Sequence, residues 1–254
     1  MATDETLTYL CQEENCIPTL RLYTWSPPAV SLGYFQKIES AVNMDECIKL
    51  GIDVVRRPTG GRAVLHQDEL TYSVCGSGEN FPELGTTVSQ TYERISLALL
   101  ETLRILGIKG EWVRSLPRQK KEKISEPCFV SSSKYEITVD NKKLIGSAQR
   151  RFGKAFLQHG SIPLKRNNKS LAHFLPQRKS VDAMDKLLTT RSTTIEELLN
   201  REVKIESIIE AIKSGFKGYF EIEFMEENLT DNELDRIEKL ISEKYYTNQT
   251  NPAK

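Results

Sequence analysis

The run Arg56-Arg57-Pro58-Thr59-Gly60-Gly61-Arg62-Ala63-Val64-Leu65-His66 constrains the fold of this chain more than any other stretch. Segments of strand character at 52–57 and 62–66 flank a Thr-Gly-Gly tip. Glycine has no Cβ, so backbone at such a tip approaches a ligand closely. Arg56, Arg57 and Arg62 offer fixed charge to a carboxylate or phosphate. From the residues alone, an ordinary hairpin connection and a ligand-binding tip both remain open.

The rest of the chain surrounds this tip with strands first and helices later. Residues 4–12 read as an amphipathic helix, 19–25 and 29–32 as strands, and 44–50 as a helix stopped by Gly51. A strand follows at 70–75. Thr87-Val88-Ser89-Gln90 is a capping box. It opens a long helix with apolar Val88, Tyr92, Ile95, Leu99, Leu103 and Leu106, ended by Gly107. Residues 117–127 are polar, basic and bounded by prolines, which predicts a surface loop. Asp140-Asn141 is a two-residue turn between strands at 135–139 and 142–149, and 155–164 is a further strand. Helices are expected at 194–200 and 205–214, a strand at 220–225, and a last helix from Thr230 with a second capping box to Glu233. Residues 248–254 read as a frayed tail. The order predicts an α+β fold: a mixed or antiparallel β-sheet core with flanking helices and a small, mostly helical C-terminal extension. Residues 1–165 form the core of the domain, which extends to about residue 220, and 166–254 pack on it as the helical part. Strands and helices do not alternate, and neither Gly-x-Gly-x-x-Gly nor a P-loop is present, so the Gly-Gly tip is not a nucleotide fingerprint.

Composition narrows the classes further. Lys plus Arg and Asp plus Glu number 35 each, which gives no global field for nucleic acid. No apolar stretch approaches a membrane span. The polar, acidic start, Met1 to Glu5, is unlike a signal or transit peptide. Five cysteines show no Cys-x-x-Cys pair and no zinc-like spacing; Cys11 and Cys16 are the closest pair. Free thiols in a reduced, cytoplasmic setting are expected, with no metal and no cofactor.

Few side chains qualify for chemistry. His66 ends a strand beside the arginines, His159 sits in Leu157-Gln158-His159-Gly160-Ser161, and His173 lies in the later helical part; no pair has zinc-protease spacing. A Gly-x-Ser-x-Gly elbow is missing. Cys47 and Cys75 lie in periodic segments and read as core residues, whereas Cys128 follows the basic loop in Glu126-Pro127-Cys128-Phe129. A free thiol titrates near about 8.5, so a neighbouring ammonium would raise its thiolate fraction. Lys142 and Lys143 are the candidates. They point to opposite faces of a strand, Lys143 with Ile145 and Ser147, Lys142 with Leu144 and Gly146. Spacing does not choose between them. Gly146-Ser147-Ala148-Gln149 is a second small-residue run, suited to a thin ligand or to close strand packing.

Taken together, these motifs resemble the biotin/lipoate protein ligase and octanoyltransferase superfamily. The likeness runs through Pro18 to Tyr23, Trp25, Ser31-Leu32-Gly33-Tyr34-Phe35-Gln36, the Arg56 to His66 run, Leu70-Thr71-Tyr72-Ser73-Val74, Lys143-Leu144-Ile145-Gly146-Ser147-Ala148-Gln149-Arg150 and Leu157 to Ile162. Cys128-Phe129, followed by Tyr135-Glu136, resembles the segment of the LipM-type octanoyltransferases that carries the nucleophile. The resemblance implies that Cys128 is the nucleophile and that Lys143, in the Lys-x-x-Gly-Ser motif, tunes it. It implies transfer of an octanoyl group from octanoyl-acyl carrier protein, through a cysteine thioester, to a lysine of a lipoyl-domain protein in lipoate biosynthesis. The glycine cleavage H protein is one candidate acceptor. Arg57, Thr59, Gly60, Gly61, Arg62, His66, Gly146, Ser147, Ala148 and His159 are the expected substrate-binding residues. The alternatives are an ATP-dependent lipoate-protein ligase, an amidotransferase between lipoyl-domain proteins, and an inactive carrier-binding protein. Two departures stand out. Val130 to Lys134 replaces an Asp-Ala-Pro-Ser-Trp-like stretch, and Met1 to Glu5 resembles a segment that family members reach only after an initial strand. A missing strand or a start placed too late would account for the second, and a longer product is expected to be the more soluble.

Overall fold

The structure, a computed structural model, describes residues 1–13, 16–114, 135–167, 169–176 and 180–245. Its elements in chain order are α1 (Ala2–Glu13), β1 (Thr19–Tyr23), β2 (Ala29–Leu32), α2 (Ile38–Ala41), α3 (Met44–Lys49), β3 (Asp53–Arg56), β4 (Val64–His66) and β5 (Glu69–Ser77). There follow α4 (Val88–Ile105), β6 (Glu111–Arg114), β7 (Tyr135–Val139), β8 (Lys142–Phe152), β9 (Ala155–Pro163), α5 (Val181–Arg191), α6 (Ile195–Leu199), α7 (Ile205–Phe220) and α8 (Asp231–Leu240). The fold is α+β, as expected.

Six strands form an antiparallel sheet in the order β1-β5-β9-β8-β7-β6. The Asp140-Asn141 turn joins β7 to β8 with both residues at positive φ (49° and 60°), the geometry of a type I′ hairpin. Side chains alternate across the sheet and sort it into two faces. Leu70, Tyr72, Val74, Ile137, Ile145, Phe156 and Ile162 occupy one face and meet Ile95, Leu99 and Leu103 of α4 in the main core. Thr87 caps that helix through the expected reciprocal box with Gln90.

The other face carries Arg21, Ser73, Ala148, His159 and Ser161. At one end α1 covers it, with Leu7 packed on Cys75, Phe152 and Leu157. A second sheet bonds to it elsewhere. That sheet has the order β3-β2-β4, with β2 parallel to β3 and antiparallel to β4. The segments on either side of the Thr-Gly-Gly tip therefore do not pair with each other. The tip crosses the end of β2, which rules out the hairpin connection.

The helical end closes over α4. Ile208, Ile212 and Phe216 of α7 join the main core. Gly215 lies directly on α4: a Cβ there would stand 2.3 Å from Thr102 Oγ1 and 2.9 Å from the Ala98 carbonyl. The strand expected at 220–225 does not form. The helical period that places Ile208, Ile212 and Phe216 on α4 carries α7 on to Phe220, and Glu221 ends the helix in a left-handed conformation (φ 54°). Helix α5 was not anticipated. The expectation of free thiols also fails for one pair. Cys11, in α1, and Cys16 lie at a Cα separation of 4.9 Å, within bridging range, and form a disulfide. Cys47 and Cys75 are free and buried. The basic loop at 117–127 lies outside the described residues.

Two glycines of α7 set up a contrast. Gly218 has nothing within 4 Å of an added Cβ, unlike Gly215. Replacing a mid-helix glycine by alanine favours the helix by up to about 1 kcal/mol where space allows. Gly218→Ala is expected to raise the urea midpoint slightly, and Gly215→Ala to lower it by prising α7 from α4.

Candidate active site

Arg57 organises the Thr-Gly-Gly tip. Its guanidinium is buried and donates from Nη1 to Ser31 O and Ser31 Oγ (both 3.0 Å), from Nε to Gly60 O (3.1 Å) and from Nη2 to Gly60 O (2.9 Å) and Arg62 O (2.7 Å). Arg56 Nη1 holds the carbonyls of Gly33 (3.1 Å), Tyr34 (3.3 Å) and Gln36 (2.5 Å). Both arginines thus bond carbonyls of the tip, of β2 and of the chain after it, Arg57 through all three nitrogens and Arg56 through Nη1. The tip is also locked against β2. Tyr34 N donates to Thr59 O (2.8 Å), and a Cβ on Gly33 would fall 2.0 Å from the Gly61 carbonyl, so only glycine fits. Gly61 itself has φ 98° and is exposed, while Arg62 is part-exposed.

The tip meets the large sheet at His159. Thr59 Oγ1 and His159 Nε2 are 2.6 Å apart, both residues buried. Arg150 adds a second tie, donating to Pro58 O (3.0 Å) with its guanidinium 4.3 Å from the Tyr34 ring centre. Burial pushes the His159 imidazole down to about 3, with Arg57 acting in the same direction and Asp4 opposing. His159 is therefore uncharged at neutral pH, and its Nδ1 is buried without a hydrogen-bond partner. His66 lies nearby in the small sheet with both ring nitrogens engaged, Nε2 with Ser31 Oγ and Nδ1 with Glu69 Oε1 (2.7 Å each). His173 is apart from this group, its Nδ1 against Ser170 O at 3.3 Å.

Lys143 reaches the same face of the large sheet through an irregularity that the sequence does not announce. Thr138 pairs with Lys143, but Ile137 pairs with Ile145, so Leu144 is an extra residue, a β-bulge. The bulge reverses the alternation. Lys143 shares a face with Thr138, Glu136 and Gly146, and Ile145 turns to the core, in contrast to the expected sharing of Lys143 with Ile145 and Ser147. Lys142 is exposed, whereas Lys143 is buried and its Nζ lies 2.7 Å from Glu136 Oε1. The backbone is clamped too: Thr193 N donates to Lys143 O (3.0 Å), and Lys143 bridges Ser192. Gly146 and Ala148 follow on this face, opposite Ser161 and His159. Ser147 points the other way. Its hydroxyl lies 2.6 Å from Tyr72 OH and its carbonyl accepts from Tyr92 OH, which leaves only its backbone for a ligand.

One sheet face thus gathers Lys143, Glu136, Gly146, Ala148 and His159, with the Thr59 to Arg62 loop fastened over it at His159. Cys128 lies outside the described residues. The two described free cysteines are poor nucleophiles: burial pushes Cys47 up to about 11 and Cys75 up to about 12, the latter with Asp4 adding to the shift. Glu136, Ser31 and Glu69 were not singled out for this site. For Glu136 a signal existed, because a carboxylate seven residues before Lys143 across a two-residue turn falls nearly opposite it.

A carboxylate stranded beside a buried ammonium costs about 3–5 kcal/mol when its partner is removed. Lys143→Met is expected to lower stability to that order in urea titration, and Glu136→Met with Lys143→Met together to recover part of it. The His159 depression also fixes a pH slope. The unfolded chain binds a proton below about pH 6.5 that the folded protein refuses down to about 3, so stability falls as pH drops through that window. From pH 6.5 to 5.5 the expected loss is about 1 kcal/mol. His159→Gln should flatten this part of the profile.

Comparison with known proteins agrees with this architecture. The lipoyl protein ligase A/B catalytic domain family matches residues 1–217. Octanoyltransferase LipM of Brevibacillus brevis is 41% identical over 99% of this chain and 93% of its own length. Octanoyltransferase LipM of Carboxydothermus hydrogenoformans is 42% identical over 98% and 92%. Among solved structures, lipoate-protein ligase A bound with ATP superposes with a TM-score of 0.76 at 25% identity, over 96% of this chain and 89% of that one. The chain belongs to the lipoyl protein ligase A/B catalytic domain family, in the branch of the LipM octanoyltransferases.

Proposed function

We propose that this chain is an octanoyltransferase that takes the acyl group from octanoyl-acyl carrier protein and delivers it to a lysine of a lipoyl-domain protein, by way of a thioester on Cys128. The observation that carries the chemistry is the buried Lys143 ammonium, held by Glu136 on the face that also presents Gly146 and Ala148. A fixed positive charge of this kind favours thiolate over thiol at a cysteine brought beside it. The Cys128 thiolate attacks the octanoyl thioester carbonyl, the carrier's thiol leaves and takes up a proton, and the acyl group is now on Cys128. The acceptor lysine amine then attacks that thioester, forms the amide and returns the Cys128 thiol. Exchange between thioesters is close to isoenergetic and the amide is the more stable product, so no ATP is consumed. Thr59, Gly60, Gly61 and Arg62 form one wall of the acyl channel, the opposite wall comes from Gly146 and Ala148, and backbone amides of 146–148 steady the tetrahedral oxyanion. Arg57, His66 and His159 serve by holding the first wall. The glycine cleavage H protein is the first acceptor to try.

A second reading is favoured by one observation, the likeness to lipoate-protein ligase A bound with ATP. A ligase needs ATP and free lipoate and has no use for Cys128. An acyl-donor panel separates the two: octanoyl carrier protein, free lipoate plus ATP, and an octanoylated lipoyl domain, each with a fresh lipoyl-domain acceptor. Transfer from the carrier without ATP is expected, with an octanoyl mass added to the wild-type protein and none to Cys128→Ala. Wild-type transfer by Cys128→Ala would rule out the thioester. Lys143→Met is expected to lower kcat/KM at neutral pH by about a hundredfold and to move the acid limb of the rate profile upward.

A further inference from the structure

Ser31, His66 and Glu69 form a buried chain that no step of the acyl transfer uses directly. The direction of every hydrogen bond along it follows from its ends. Arg57 Nη1 donates to Ser31 Oγ, since a guanidinium has no acceptor. At the other end the Glu69 carboxylate can only accept, so the His66 imidazole donates Nδ1–H to Oε1 at 2.7 Å. With its one proton on Nδ1, the ring accepts at Nε2 from the Ser31 hydroxyl, 2.7 Å away. Glu69 Oε1 accepts also from Thr71 Oγ1, which in turn receives Trp25 Nε1–H at 2.9 Å. The Trp25 ring stacks on the His66 imidazole, with centres 4.3 Å apart and planes 17° apart. Ser31, Arg57, His66, Glu69 and Thr71 are all buried.

We propose that Ser31, His66 and Glu69 are positioning residues for acyl transfer, which orient Arg57 and through it the Thr59 to Arg62 wall of the channel. The proposal rests on the function given above. A guanidinium is planar and rigid, so fixing Nη1 on Ser31 also aims Nε and Nη2, and these bond the Gly60 and Arg62 carbonyls. The chain thereby ties β5, which carries Glu69 and Thr71, to a loop that crosses the end of β2 in the other sheet. The Ser-His-Glu order matches that of a hydrolase relay, but Ser31 has no exposed surface and its oxygen already accepts from Arg57. It orients a neighbour and is no nucleophile.

The tautomer is read first, from nitrogen-15 histidine spectra of the full-length wild-type protein. His66 should carry its proton on Nδ1, slow to exchange; a proton on Nε2 overturns the proposal. Steady-state kinetics with octanoyl carrier protein and a lipoyl-domain acceptor follow, with folding of each variant checked by circular dichroism. Ser31→Ala and Glu69→Ala are expected to raise KM for the donor about tenfold while kcat stays within about twofold. Glu69→Gln, whose amide oxygen still accepts from Nδ1, should restore most of that loss. Folded Ser31→Ala and Glu69→Ala proteins with wild-type KM would overturn the positioning role. If either alanine variant does not fold, the wild-type tautomer and the Glu69→Gln comparison decide instead: Glu69→Gln with a KM as high as a folded alanine variant, or with a His66 proton moved to Nε2, goes against it. No transfer by the wild-type protein would strike the functional reading and leave the tautomer assignment standing.

Discussion

The buried Arg57 guanidinium is the contact on which the candidate site depends. A charged group out of water is costly unless every donor is used, and here it is bonded to Ser31 in β2 and to the Gly60 and Arg62 carbonyls of the tip. The tip has no strand pairing of its own, because β3 and β4 both pair with β2 and not with each other. Arg57 supplies the missing bonds. The loop is consequently a shaped piece of structure, and its glycines serve that shape: Gly33 and Gly61 touch where no side chain fits. The run that draws attention in the sequence for its charge spends two of its arginines on carbonyls.

The second constraint is the extra residue in β8. Regular alternation would place Lys143 on the core face with Ile145. With Leu144 inserted, the lysine crosses to the face that carries Glu136 and Gly146, and Leu144 and Ile145 are both buried in the core. Bulges recur where a strand must re-aim one side chain, and this one places a buried ammonium on a surface of small residues. The helical end contributes to the same point, because the backbone of Ser192 and Thr193, just past α5, is bonded to Lys143. The C-terminal part is thus tied into the site as well as stacked on α4.

Proton placement follows from packing. His66 and His159 both lie at the junction of the two sheets and each bonds a hydroxyl, but their surroundings differ. His66 has a carboxylate and a serine in line with its two nitrogens, while His159 has Thr59 on one nitrogen and no partner on the other. Desolvation keeps His159 uncharged. The loop is therefore fastened by neutral hydrogen bonds on the His159 side and by a buried cation on the Ser31 side.

Local pattern in the sequence was enough for most elements: the capping boxes at Thr87 and Thr230 and the Asp140-Asn141 turn rest on interactions within a few residues, and the alternation in the strands of the large sheet other than β6 points to the α+β class. The family likeness likewise rides on contiguous motifs. Failures occurred where distant parts decide. The alternating residues 220–225 lost to the helical face already packed on α4, and Cys11 and Cys16 pair in a disulfide that their spacing does not announce. Which lysine enters the site depended on a register shift between two strands, and Ser31 lies 26 residues from Arg57 and 35 from His66, while Thr59 lies 100 from His159. Sequence alone determined which side chains and glycines were available at the tip. Only the tertiary structure decided that Arg57 faces inward, that Lys143 and not Lys142 is buried, and that Ser147 turns away, because burial, register and hydrogen-bond direction are set by neighbours that no local spacing records.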